Sequence, residues 1–125
     1  MIILIVEDDP QVTNYITKRL SGWGYRTNSA ATGKDALELF SKKNFDLILL
    51  DIILPDYMAF DLIPKFKRMN PDIGIVTMTG QSSRELEQKV REQGILYYMV
   101  KPIEAANLKL LLDHIKNDIK QQISI

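Results

Sequence analysis

The chain has 125 residues, sixteen basic and sixteen acidic, so its total charge gives no footing for nucleic acid, an anionic membrane or a polyacidic ligand. That length matches one domain with a single core and leaves no room for a second. There is no cysteine, which excludes disulfide and thiol chemistry, and the longest apolar stretches, about six residues, fall far short of the ~20 that cross a bilayer.

Strand and helix patterns alternate along the chain, as expected of βαβ units with a parallel sheet covered on both faces. Met1 leads directly into an apolar strand at residues 2–6 and not into a charged leader, so an unexported, cytoplasmic protein is expected. Asp9-Pro10 then starts a helix, with Asp9 as the N-cap. Val12, Tyr15, Ile16, Leu20 and Trp23 follow at helical spacing until Gly22 or Gly24 ends it. Residues 25–29 form a weakly apolar second strand that belongs at a sheet edge.

Thr32 caps a second helix that turns Ala36, Leu37 and Phe40 inward, and residues 45–50 form the most apolar, hence central, strand. A loop over 52–58 leads to a third helix at 59–69, where Pro64 is tolerable only in the first turn. A fourth strand at 73–78 ends at Thr79-Gly80. Ser82-Ser83-Arg84-Glu85 reads as a capping box for a fourth helix that runs to Gly94. Only Leu86 and Val90 are large and apolar on it, so it is the element expected to shift. A fifth strand at 95–100 is followed by a long amphipathic helix carrying Leu108, Leu111, Leu112, Ile115 and Ile119, with 121–125 as a fraying tail.

The apolar runs stop at charge. The first ends at Glu7-Asp8-Asp9, the third at Asp51 and the fifth at Lys101-Pro102. A carboxylate directly after an apolar strand is costly unless the strand delivers it to solvent, and in an open parallel sheet all carboxyl ends face one crevice. Carboxylates gathered there repel by a few kcal/mol at an effective dielectric near ~20 unless a cation joins them. With no cysteine and a single histidine, an oxygen-only ligand set points to Mg²⁺ or Mn²⁺ and away from zinc.

An acidic pair after the first strand, an aspartate after the third, Thr79-Gly80 after the fourth and Lys101-Pro102 after the fifth together resemble the receiver domain of two-component response regulators. The resemblance covers the whole chain, residues 1–125, as one domain. It implies a flavodoxin-like, doubly wound α/β fold with five parallel strands in the order 2-1-3-4-5. It also implies that Asp51 accepts a phosphoryl group from a histidine kinase or phosphotransfer protein, with Asp8, Glu7, Asp51 and the Ile53 backbone carbonyl holding the metal. Lys101 and Thr79 would bind phosphoryl oxygens, and Tyr98 would turn inward as Thr79 moves. The output surface would be the fourth helix, fifth strand and last helix, facing an output domain, a partner protein or a second copy. No turnover of an external substrate, no direct nucleic-acid binding and no membrane are expected.

Plainer readings exist for each part. Asp9 is an N-cap, His114 falls on the polar side of the last helix, and Tyr98 beside Tyr97 could be core. Aspartyl-phosphate phosphohydrolases of the haloacid-dehalogenase type need an acid two residues after the nucleophile, where Ile53 stands. A nucleotide-binding module needs a Gly-rich loop where Glu7-Asp8-Asp9-Pro10 stands. A degenerate receiver used only for binding is disfavoured by Asp8, Asp51, Thr79 and Lys101. Met58-Ala59 departs from the small or polar residue and glycine usual after Pro55, which leaves the shape of that loop open. Leu96-Tyr97 replaces the acidic pair of one large DNA-binding subfamily.

Overall fold

The computed structural model describes residues 1–123, and their side chains as far as Asp118. Five strands alternate with five helices: β1 Ile2–Val6, α1 Pro10–Gly22, β2 Arg26–Ala30, α2 Gly33–Lys42, β3 Leu47–Asp51, α3 Ala59–Met69, β4 Gly74–Thr79, α4 Arg84–Arg91, β5 Tyr97–Val100 and α5 Ala105–Ile123. All neighbouring strands pair in parallel, in the order β2-β1-β3-β4-β5. This is the expected flavodoxin-like order. Among the described residues no helix is long and apolar enough to cross a membrane.

Side chains alternate across the strands, so each strand feeds two cores. Ile3, Ile5, Leu47, Leu49, Val76 and Met78 pack against α1 and α5, through Ile16, Leu20, Leu108, Leu112 and Ile115. Leu4, Val6, Ile48, Leu50 and Ile75 face α2, α3 and α4, through Ala36, Phe40, Leu62, Phe66 and Val90. All five residues of β3 are buried, as an apolar run without alternation requires of a strand covered on both faces. The sheet order reverses at β1, which is flanked by β2 and β3, so the crevice at their carboxyl ends is the switch point.

Strand boundaries differ from expectation by one or two residues. β2 begins at Arg26, because the Tyr25 N–H returns to the Leu20 carbonyl (3.0 Å) to close α1. β3 begins at Leu47 and takes in Asp51, while Phe45 is buried ahead of it. β4 runs from Gly74 to Thr79 and β5 begins only at Tyr97. Residues 121–123 continue α5 where a fraying tail is expected, and residues 124–125 and the Ile119 side chain lie outside the described ones.

Two helix readings need larger corrections. Pro64 sits inside α3 and not in its first turn. It removes the N–H that the Phe60 carbonyl would accept, and the Gln93 side-chain amide donates to that carbonyl instead (2.8 Å). The N-cap of α4 is Ser83, whose hydroxyl accepts from Leu86 N–H (3.1 Å), so Glu85 falls one position short of the reciprocal half of a capping box. That helix ends at Arg91.

Candidate functional site

The four charged side chains expected at the crevice are brought there by backbone pairing. Glu7 follows β1 and donates its N–H to the Ala30 carbonyl (3.0 Å), which extends the sheet one residue and carries its side chain inward to 2% exposure. Asp51 closes β3 opposite Met78 and is 6% exposed. Lys101 follows β5 and its N–H reaches the Thr79 carbonyl (2.8 Å), placing the ammonium beside the ends of β1 and β3. Asp8 is exposed at the mouth. Asp9 accepts from Gln11 N–H (2.9 Å) and is the N-cap of α1, as expected.

Glu7, Asp8 and Asp51 offer carboxylate oxygens within 4.8 Å of one another. Lys101 Nζ lies 3.3 Å from Asp51 Oδ2 and also bonds Glu7 Oε1. Burial pushes the Glu7 carboxyl above its ordinary range, reinforced by its hydrogen bond to Asp51 and that group's charge, and only partly countered by Lys101. Burial opposes the Lys101 charge, but its bond to Glu7 and the charges of Asp51 and Glu7 outweigh this and raise its pKa. The pocket gathers three acids against one ammonium, and its donors are hard oxygens. Both properties fit a small divalent cation.

Thr79 is buried, and its hydroxyl accepts from Gln81 N–H (3.1 Å). Tyr98 is half-buried, with its hydroxyl paired to the Ser82 hydroxyl (3.0 Å) and the Arg91 guanidinium 5.7 Å from its ring centre. Ile53 is 39% exposed and pairs with Met58 in an isolated antiparallel bridge. His114 is exposed on α5, edge-on to Tyr97.

The loop after Asp51 has a definite shape despite Met58-Ala59. Leu54 N–H bonds the Tyr57 carbonyl (3.0 Å), and Ala59 N–H bonds the Ile52 carbonyl (2.8 Å). Asp56 at the loop tip accepts from the Gly33 and Lys34 N–H groups (2.9 and 3.0 Å), so the loop is tied to the start of α2. Burial pushes the Asp56 pKa up, but the backbone N–H groups of Gly33, Lys34, Asp56 and Tyr57 together outweigh it and lower the pKa. Tyr57 lies so close that a Cβ on Gly33 would meet its ring at 2.5 Å.

A family model described as the response regulator receiver domain matches residues 3–113. The chain belongs to that family. The receiver fold is shared with a CheY-like response regulator receiver domain protein from Methanospirillum hungatei JF-1, at 30% identity and a TM-score of 0.87, covering 98% of this chain and 96% of that one. The transcriptional regulatory protein ZraR of Klebsiella oxytoca is 36% identical over 110 residues, 88% of this receiver and 25% of its relative. A probable cyclic di-GMP phosphodiesterase of Vibrio cholerae is 34% identical over 125 residues, 97% of this receiver and 28% of that protein. The chain thus spans about a quarter of the length of the curated relatives it matches.

Sequence reasoning missed polar side chains whose partners no local pattern names. The Thr13 hydroxyl donates to the Glu7 carbonyl (3.4 Å) from inside α1. Asp56 works across 22 and 23 residues, and Gln93 across 33. An aspartate in a Pro-containing turn was the one signal for Asp56, and it does not name a partner.

Proposed function

We propose that this receiver is a phosphoacceptor, with residues 1–125 acting as one unit, that takes a phosphoryl group onto Asp51 from the phosphohistidine of a histidine kinase or phosphotransfer protein. An Asp51 oxygen attacks phosphorus, the new P–O bond forms as the P–N bond breaks, and the departing imidazole keeps the electron pair and takes a proton from solvent. Lys101 stays beside the acceptor and pairs with a phosphoryl oxygen. The Thr79 hydroxyl turns from Gln81 N–H to donate to another. Tyr98 leaves Ser82 and follows inward.

Asp8, Asp51, the Ile53 carbonyl and, through water, Glu7 would hold Mg²⁺, with Mn²⁺ an alternative. When bound, the ion offsets the negative charge of the acceptor and the phosphoryl oxygens. No turnover of an external substrate is involved. The output is read on α4, β5 and α5, where Leu96, Tyr97, Val100 and Leu110 are large apolar side chains left exposed. An output domain, a partner protein or a second copy would dock there.

The observation that carries this reading is Asp51 at 3.3 Å from the Lys101 ammonium within the Glu7, Asp8 and Asp51 cluster. Incubation with Mg²⁺ and acetyl phosphate is expected to add one phosphoryl group, labile to hydroxylamine, that intact-mass spectrometry detects in the native chain and not in Asp51→Asn. Equal labelling of both chains refutes it.

A further inference from the structure

The two ends of α4 are attached in different ways. At its carboxyl end, Val90 is fully buried, and the Gln93 amide crosses to the Phe60 carbonyl that Pro64 leaves without an intrahelical donor (2.8 Å). In return Lys67 on α3 donates to the Gly94 carbonyl (3.0 Å), where the chain turns through a φ of +81°. Lys89 adds an ammonium 4.7 Å from the Phe60 ring centre. At the amino end Leu86 is only partly buried, and the Ser82–Tyr98 hydroxyl pair is exposed.

We propose that Gln93 and Lys67 form a fixed pivot between α3 and the end of α4, so that α4 opens from its amino end, at residues 81–87. Pro64 creates the acceptor for this pivot. A backbone N–H at position 64 would compete for the Phe60 carbonyl and weaken its bond to the Gln93 amide. The Gln93 carbonyl oxygen, buried without a partner, is consistent with the amide being held by its nitrogen alone. The link to signalling rests on the phosphoacceptor reading: Thr79 and Tyr98, the residues that would move, lie next to the free end, and the pivot keeps the far end on α3.

Amide exchange followed by mass spectrometry on the native chain, Gln93→Ala and Pro64→Ala tests the pivot without phosphorylation. In both variants residues 90–94 should exchange about fivefold to tenfold faster than in the native chain, the loss of one hydrogen bond, while residues 84–87 keep their rates. Pro64→Ala is the sharper case, because it should strengthen α3 and yet loosen α4. Unchanged or slower exchange at 90–94 in Pro64→Ala overturns the pivot. With Mg²⁺ and acetyl phosphate, the native response should be confined to the amino half of α4 and should extend through residue 94 in both variants. An equal response at both ends of native α4 also overturns it. If Asp51 takes no phosphoryl group, the phosphoacceptor reading fails and the resting rates alone decide the pivot.

Discussion

Glu7, Asp8 and Asp51 hold oxygens within 4.8 Å of one another, and at an effective dielectric near ~20 each ionised pair at that distance repels by roughly 3 kcal/mol. Lys101 answers only part of this. Asp51→Asn is therefore expected to raise the unfolding free energy of the metal-free chain at neutral pH by about 1–2 kcal/mol, measured as a higher urea midpoint at unchanged slope. A lower midpoint would mean that attraction to Lys101 outweighs the repulsion. Ile53 leads to a second expectation. If Asp51 takes the proposed phosphoryl group, the aliphatic Ile53 side chain, which cannot orient water by hydrogen bonding, would shield the phosphorus, so Ile53→Asn should lose that group faster than the native chain in Mg²⁺ buffer. Asp51 and Lys101 were legible in the sequence because each ends an apolar run. The burial of Glu7 was not, because nothing in three consecutive acids says which one turns inward. The bond from Glu7 N–H to the Ala30 carbonyl makes that choice.

Among the elements, α2 shows most clearly how the site loop is held. Its first N–H groups are all taken: Gly33 and Lys34 by Asp56, Asp35 by the Thr32 hydroxyl and Ala36 by the Thr32 carbonyl. Asp56→Ala releases two of them and frees the loop that follows Asp51, and should cost about 1–2 kcal/mol at neutral pH. The pKa of Asp56 is lowered on folding, so its contribution is present above the ordinary aspartate value and lost as pH falls through the lowered one. The gap in urea midpoint between native and Asp56→Ala chains should thus shrink in acid; a constant gap would assign the effect to packing. The alternation of strands and helices was legible from periodicity and caps. Pro64 was misjudged because its tolerance in α3 depends on Gln93, which no local pattern connects to it.

For the molecule as a whole, the order of the sheet converts local runs into one pocket, and that is why the position of the site was readable while its neighbours were not. The carboxyl ends of β1, β3, β4 and β5 lie on one edge whatever fills the loops. The same convergence ties the stability of the entire domain to the charge state of the pocket. Glu7 is raised on folding, so its contribution is fully present below the ordinary glutamate pKa and is lost as pH rises through the raised value. Lys101, also raised, contributes below the ordinary lysine pKa and loses that contribution only as pH climbs through its higher folded value. The metal-free domain should therefore lose stability from Glu7 as pH rises above the ordinary glutamate range. Mg²⁺ binding to the folded state should restore it at neutral pH, by about 2.7 kcal/mol at a hundredfold excess over Kd. Thermal melts at neutral pH should show a Tm that climbs with Mg²⁺ in the native chain and stays flat in Asp8→Ala. An equal climb in both chains would remove Asp8 from the metal set and leave the ion to Glu7 and Asp51.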